Sequence, residues 1–422
     1  MNVFESGQHG RALRVPPWAF VAGALVLVAA VLAVVFATGS GNGGPTRHGS
    51  STSTTHEHTH KTLLAVRSTS PATGASDVPT NSAISVTFSE PVSLRDGSAP
   101  VLAPAIGGNW VQSSPTTLTY TLSSPLIPAS QETLTIPGGS SGIHGRNGAA
   151  LPSSATVSFT VAAGDTLRLQ QLLAGLDYLP VGFTPTGPAP APTDLALDQP
   201  GAFNWRWPGL PAELTSQWTQ GASNEITRAA VEDFQSQNGL GVDGIAGPAV
   251  WTALLNDTIN QKVSGTPYVY VLVNKALPES LTLWNNGVAQ LTGIAVNTGI
   301  PGADTTDGSY AVFEHVRYSE MKGTNPDGSH YDDPNVPYAS YFNGGDALHG
   351  FIRPTYGSPQ SNGCVEMTYA NASLVWPLTP IGTLVTVVGP NYGSAPPAST
   401  TTAPPPPATP TTAPAPPVTT TT

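Results

Sequence analysis

The hydrophobic rhythm of the chain changes several times along its length. Residues 18–37 are apolar and carry no charge. A run of about 20 such residues is long enough to cross the roughly 30 Å hydrocarbon core of a bilayer as a helix. Arg11 and Arg14 precede it. Positive flanks stay cytoplasmic, so the pattern predicts a retained signal-anchor, with residues 1–17 inside and the bulk of the chain outside. A cleaved signal peptide is the competing reading, but its apolar region is usually shorter and no small-x-small site closes this one. Residues 38–62 are a Gly/Ser/Thr/His-rich linker. Its alternating His56, His58 and His60 are metal-capable residue types, read here as a solvated tether because nothing nearby completes a rigid site.

From 63 to 162 the period is two. Ile84, Val86 and Phe88 alternate with polar residues, as do Leu118, Tyr120 and Leu122, Leu134 and Ile136, and Val157, Phe159 and Val161. Turn-rich clusters separate these runs, which predicts an antiparallel β-sandwich. From 164 to 256 the period becomes helical. Leu169, Leu172, Leu173 and Leu176 share one face, Asn224 is placed to cap a helix bearing Ile226, Ala230 and Phe234, and Pro248 suits the first turn of a helix with Val250, Trp251 and Leu254. A Pro-rich insertion at 180–222 interrupts this region and holds Trp205, Trp207 and Trp218, which could stack on sugars or form the insertion's own small core. Strand patterning returns from 266 to 389, beginning with the buried-strand run at 268–273. Residues 394–422 are almost only Pro, Thr, Ala and Ser, a composition that stays extended and buries no core.

Composition narrows the function. The net charge is −11, only 10% of residues are charged, and no Lys/Arg cluster occurs, so nucleic acid is excluded as a partner. Cys364 is the only cysteine. A lone thiol in an exported chain has no internal disulfide to form. His349-Gly350 lies upstream, and Ser361-Asn362-Gly363 leads directly into Cys364. A thiol attacks a carbonyl as thiolate, and His349 is the natural base to generate it. Gly350 and Gly363 permit close backbone approach, so a hairpin-like excursion could join the two ends. The Gly363 and Cys364 amides, with Asn362, are candidate oxyanion donors. Asp346 or a backbone carbonyl would orient the imidazole. The alternative is an inert, buried Cys364. Asp327, Asp332 and Asp333 do not follow an EF-hand spacing. Residues 325–334, with His330 on their surface, are read as a lid, with Tyr338 and Tyr341 as walls.

Three resemblances follow from these strings. Pro71–Pro79 followed by Ile84–Pro91 resembles bacterial Ig-like modules. Residues 229–254, with 167–173 and Tyr178, resemble the peptidoglycan-binding three-helix module. His349-Gly350 with Ser361-Asn362-Gly363-Cys364, together with Thr305–Tyr310, Met321–Gly323 and Val336–Tyr338 and Tyr341-Phe342, resembles the catalytic domain of L,D-transpeptidases, especially actinobacterial ones. The resemblance implies a multidomain architecture: transmembrane helix, Ig-like β-sandwich, small α-helical binding domain, mainly-β catalytic domain and disordered tail. It also implies an acyltransferase with Cys364 as nucleophile and His349 as base, then acid, needing neither metal nor other cofactor. Its substrates would be peptidoglycan stem peptides, cross-linked 3→3 through a thioester at a meso-diaminopimelate carbonyl, with glycan bound nearby and carbapenems as inhibitors. The enzyme would sit in the cell membrane and face the wall. Two departures stand out. Asn362 replaces a usual histidine, and Glu366 stands where Arg or Asn often reads a carboxylate, so Arg353 is the candidate substitute. Ser361 would shape the turn. A carboxypeptidase or protein-anchoring enzyme on the same fold, and a non-catalytic wall-binding scaffold, are the alternatives.

Overall fold

The computed structural model describes residues 63–94 and 98–391. The apolar stretch 18–37, the histidine-bearing linker and the Pro/Thr tail lie outside the described residues. Among the described residues no helix is long and apolar enough to cross a membrane.

The period-two segment folds into strands β1 (Val66–Ser70), β2 (Ile84–Phe88), β3 (Val92–Ser93), β4 (Val101–Ala103), β5 (Gly108–Ser114), β6 (Thr117–Leu122), β7 (Gln131–Ile136), β8 (His144–Gly145) and β9 (Ala155–Thr160). One antiparallel sheet runs β1-β2-β6-β5 and another β4-β7-β9, with β3 and β8 pairing separately. The alternation explains the layering, because successive side chains on a strand point to opposite faces. Ile84, Val86 and Phe88 enter one core with Leu118, Leu134, Ile136, Val157 and Phe159. Their intervening neighbours face outward or lie half-covered.

The helical segment comprises α1 (Thr166–Gly175), β10 (Val181–Pro185), β11 (Gly201–Trp205), α2 (Ala212–Thr215), α3 (Glu225–Gln237) and α4 (Pro248–Asn260). Asp165 caps α1 through the Leu167 N–H at 2.6 Å, and Asn224 caps α3 through the Thr227 N–H at 2.9 Å. Each cap satisfies one of the orphan donors at a helix start. The insertion is not a structureless loop. β10 and β11 pair in antiparallel register from Val181↔Trp205 to Pro185↔Gly201. Trp205 and Trp218 pack against the helical core, and Phe203 meets Trp218 edge-on at 5.4 Å. Trp207 stacks instead on Tyr268 at 6.1 Å. The Trp207–Tyr268 stack joins the insertion to the last segment.

The last segment contains β12 (Val269–Asn274), β13 (Ser280–Asn285), β14 (Val288–Ala295), β15 (Gly308–Ala311), β16 (Glu314–Thr324), β17 (His330–Asn343), β18 (Asp346–Gly350), β19 (Val365–Met367), α5 (Tyr369–Val375) and β20 (Leu384–Val388). A five-stranded sheet runs β14-β13-β12-β20-β15 and a four-stranded sheet β16-β17-β18-β19. β12 is apolar on both faces for a physical reason. Val269, Val271 and Val273 enter the core between the two sheets, whereas Tyr270 and Leu272 face the helical segment. Tyr270, Ala311 and Leu384 therefore share one core with Phe234, Trp251 and Leu254. Trp251, only 1% exposed, sits in this core, with Gly164 lying flat against its ring. Trp251→Ala is expected to cost about 3–5 kcal/mol, read as a lower midpoint in thermal or denaturant unfolding.

Candidate active site

Cys364 and His349 come together by strand pairing. β18 and β19 are parallel neighbours, with Leu348↔Val365 and His349↔Glu366 in register. The hairpin-like excursion expected from the sequence is thereby corrected. Parallel neighbours cannot be joined by a tight turn, so residues 351–364 form a crossover. Both side chains line one cavity of 460 Å³.

The imidazole is held by its backbone. His349 is 2% exposed, and its Nδ1 lies 3.1 Å from the Gly350 carbonyl oxygen. A carbonyl only accepts, so Nδ1 carries the proton and the Nε2 lone pair is free. Of the two orienters considered, the carbonyl is the one used. Asp346 instead accepts from Asn343 Nδ2 at 3.3 Å, and burial pushes its carboxyl up to about 6. Burial also holds the His349 pKa below its ordinary 6.5, against the opposing pull of the Gly350 carbonyl. Neutral imidazole is the resting form.

The thiol is half-buried and its Sγ lies 3.6 Å from the Gly345 carbonyl. Burial pushes its pKa up to about 12, and the Asp346 and Glu366 carboxylates add to the rise, whereas the Ala347 N–H opposes it. No pre-formed thiolate–imidazolium pair is implied. The thiol rests protonated beside a neutral base.

The turn before Cys364 is pinned from several directions. Ser361 Oγ donates to the Cys364 carbonyl at 2.6 Å and accepts from the Gly363 N–H at 3.2 Å. The Gly363 N–H, expected as an oxyanion donor, is therefore already engaged, which leaves the Cys364 N–H. Thr305 Oγ1 donates to the Gly363 carbonyl at 2.7 Å. The Thr298 carbonyl accepts from the Gln360 and Ser361 N–H groups, and Asn297 exchanges two backbone bonds with Glu366. Buried Glu279 fixes Thr298 through its N–H at 2.7 Å and its hydroxyl at 2.6 Å. Residue-level reading missed Thr298, Asn297 and Glu279, because nothing in their local spacing points at residue 364. Thr305 lay in a family-like string without a role.

Gly363 has φ +113°, and a Cβ there would sit 2.2 Å from Asp346 Oδ1. Gly363→Ala must therefore shift either the carboxylate or the turn. It should lower acylation at least about tenfold and destabilise the fold by about 1–3 kcal/mol. Stopped-flow acylation and a melting curve on the same sample measure the two effects.

Several expected wall residues move. Tyr341 does line the cavity, with its hydroxyl 2.7 Å from Ser319 Oγ. Tyr338 does not: it lies behind His349 beside Met367 and Trp376, with Arg317 over its ring at 5.3 Å. Alternation along β17 turns it away from the cavity. Gly350 is buried as well, and a Cβ there would meet Tyr369 Cδ1 at 2.8 Å, so it serves packing and supplies the carbonyl for His349. Arg353 lines the cavity, but its Nε and Nη2 bond the two Glu366 oxygens at 2.7 and 2.8 Å. The substitute carboxylate reader is thus already occupied. Asn362 Nδ2 donates to Asn325 Oδ1 at 2.6 Å, which ties the nucleophile turn to the tip of the β16–β17 hairpin. That hairpin, with Met321, Asn325, Tyr331 and Asp333, walls the cavity where a loop lid was expected. Asp327 accepts from Ser329, and Asp332 pairs with Lys322 at 3.1 Å. Thr324 Oγ1 lies 3.0 Å from His330 Nδ1.

Comparison with known families decides the assignment of this segment. Residues 268–387 match the L,D-transpeptidase catalytic domain. Upstream of the transpeptidase domain, residues 60–161 match a bacterial Ig-like domain and residues 214–254 a peptidoglycan binding domain. No curated protein matches the chain. Among solved structures, an L,D-transpeptidase from Mycobacterium smegmatis is 13% identical, with 78% of this chain and 100% of that one covered at a TM-score of 0.26. L,D-transpeptidase 3 from Mycobacterium tuberculosis is 14% identical over 77% and 98% of the two chains, at a TM-score of 0.27. The catalytic domain of the E. faecium L,D-transpeptidase is 23% identical over 30% of this chain and 100% of that one, at 0.26. At these scores the overlaps carry no argument of their own. The transpeptidase assignment rests on the family match.

Proposed function

We propose that this chain is a peptidoglycan L,D-transpeptidase that forms 3→3 cross-links through a thioester on Cys364. The carrying observation is a single free thiol and a backbone-anchored neutral imidazole lining one cavity of 460 Å³. In this reading the substrate carbonyl of a tetrapeptide stem docks over Cys364. Sγ attacks as Nε2 of His349 takes its proton, and the carbonyl π electrons move onto oxygen. The Cys364 N–H stabilises that oxyanion. Such a donor is typically worth on the order of 10²–10³ in rate. Collapse expels D-Ala as an amine, which receives the proton from Nε2, and leaves the thioester. The side-chain amine of a second stem then attacks, His349 accepts its proton and returns it to sulfur, and the cross-linked product leaves.

Asn362 and Ser361 shape this turn, and Tyr341 flanks the substrate. The helical segment and the Ig-like domain hold the catalytic domain at the wall. The apolar stretch 18–37 anchors the protein in the cell membrane, with the rest extracytoplasmic. Carbapenems acylate Cys364 in the same way as the stem.

Incubating the protein with disaccharide-tetrapeptide and weighing the products tests the reaction. Cross-linked dimers support the proposal. Tripeptide alone means that water is the acceptor and the enzyme is a carboxypeptidase. Absence of any acyl-enzyme, with substrate or with carbapenem, leaves a wall-binding scaffold.

A further inference from the structure

The peptide that joins Gly363 to Cys364 carries the N–H left for an oxyanion. A trans peptide is planar, so its carbonyl and its N–H point in opposite directions. Whatever grips the Gly363 carbonyl therefore aims the Cys364 N–H. That grip is the Thr305 hydroxyl, at 2.7 Å. Its sense is fixed. The Gly299 N–H, which only donates, reaches the same Oγ1 at 2.9 Å. The hydroxyl proton is thereby directed to the Gly363 oxygen, which only accepts. Gly363, at φ +113°, has no side chain of its own to resist rotation of this peptide.

Thr305 is buried and does not line the cavity. Two buried ionisable side chains hold it from behind. Lys275 donates from Nζ to the Thr305 carbonyl at 3.0 Å and pairs with Asp307 at 2.7 Å. Glu279 accepts from the N–H and the hydroxyl of Thr298, the residue beside Gly299. Taking a lysine and a glutamate out of water is costly, and an apolar core needs neither. Both converge on the segment that grips the nucleophile turn.

We propose that Thr305 is a positioning residue for acylation: its hydroxyl sets the direction of the Cys364 N–H, and Lys275 and Glu279 keep that hydroxyl in place. This rests on the acyl-enzyme reading and adds to it how the oxyanion donor is held. Thr305 acts through the peptide and not on the sulfur, so its contribution is felt only where an oxyanion forms. Attack on a carbonyl forms one. Alkylation by iodoacetamide does not: Sγ displaces iodide from a saturated carbon, His349 takes the thiol proton, and no carbonyl becomes an oxyanion.

The test measures two rates at Cys364 of the full chain by intact-protein mass spectrometry: acylation by a carbapenem and alkylation by iodoacetamide. Thr305→Val keeps the side-chain shape and removes the hydroxyl. It is expected to slow acylation on the order of 10²-fold, the scale of one oxyanion donor, and to leave alkylation unchanged. Thr305→Ser keeps the hydroxyl and should restore most of the acylation rate. With stem peptide the loss should fall on kcat and not on KM. If Thr305→Val does not fold, Glu279→Gln answers the same question, with a severalfold loss expected in acylation alone. Equal slowing of both reactions, serine no better than valine, or unchanged acylation in the folded variants overturns the proposal. A wild-type chain that is alkylated but never acylated, by carbapenem or by stem peptide, overturns the acyl-enzyme reading itself, and this proposal with it.

Discussion

Cys364→Ala is expected to abolish acylation by stem peptide and by carbapenem, with no mass adduct on the intact protein. The thiol is the sole cysteine of the sequence, and the thioether of Met321, which also lines the cavity, cannot take over as an acyl-accepting nucleophile. Loss of a nucleophile that works as a unit with its base reaches up to about 10⁶ in kcat in well-studied hydrolases. The fold should be nearly indifferent, because the side chain is half-exposed and its polar contacts are weak sulfur ones, the S–H donation to Gly345 and the Ala347 N–H. Intact-protein mass spectrometry beside a thermal melt separates the two. An adduct persisting in the folded variant would move the chemistry to another residue and sink the assignment.

His349→Gln is the second large effect. Glutamine is polar and of similar reach, but it cannot shuttle a proton at neutral pH. General-base catalysis contributes typically 10²–10⁴ in rate, and a loss of that order is expected. The pH dependence gives the sharper reading. Burial favours uncharged imidazole, so its pKa lies below the ordinary 6.5. The acid limb of kcat/KM should therefore have its midpoint below 6.5, with a plateau through neutrality. In the glutamine variant the thiol must ionise unaided. With its pKa pushed up to about 12, residual activity should instead climb with pH and show no plateau below 9. The stability linkage has the same sign. A histidine held neutral in the fold and free to protonate when unfolded destabilises the protein as pH falls through its unfolded value towards its folded one. A wild-type acid limb centred above 7 would contradict the neutral-base account.

These effects separate what is local from what is not. The alternation at Ile84, Val86 and Phe88, the cap at Asn224 and the first-turn proline at Pro248 state their own outcome, since a period, a capping side chain and a fixed φ need no distant partner. The Cys364 string and the upstream histidine were likewise visible as residue types. Their juxtaposition was not, because it depends on parallel pairing of β18 with β19 across a crossover that mimics a hairpin in sequence. The strands of the Pro-rich insertion were not legible in the sequence because they are short. Its hairpin is stabilised by the Phe203–Trp218 contact within the insertion and by packing of both rings against the helical core.

The wall residues show the same limit. Tyr338 and Tyr341 are three positions apart in one strand, an odd spacing that sends them to opposite faces. Only the hairpin pairing decides which face is the cavity. Arg353 and Glu366 each looked like a substrate reader or a departure from pattern until the fold closed them on each other.

By itself the sequence determined the module order, the period of each segment and the residue types able to perform acyl transfer, because these follow from local covalent geometry and side-chain chemistry. The tertiary structure alone decided which nitrogen of His349 is free, which backbone N–H remains for an oxyanion, and which charges in the cavity are already neutralised. Those depend on atoms brought within hydrogen-bonding distance from far along the chain, and no local pattern encodes that distance.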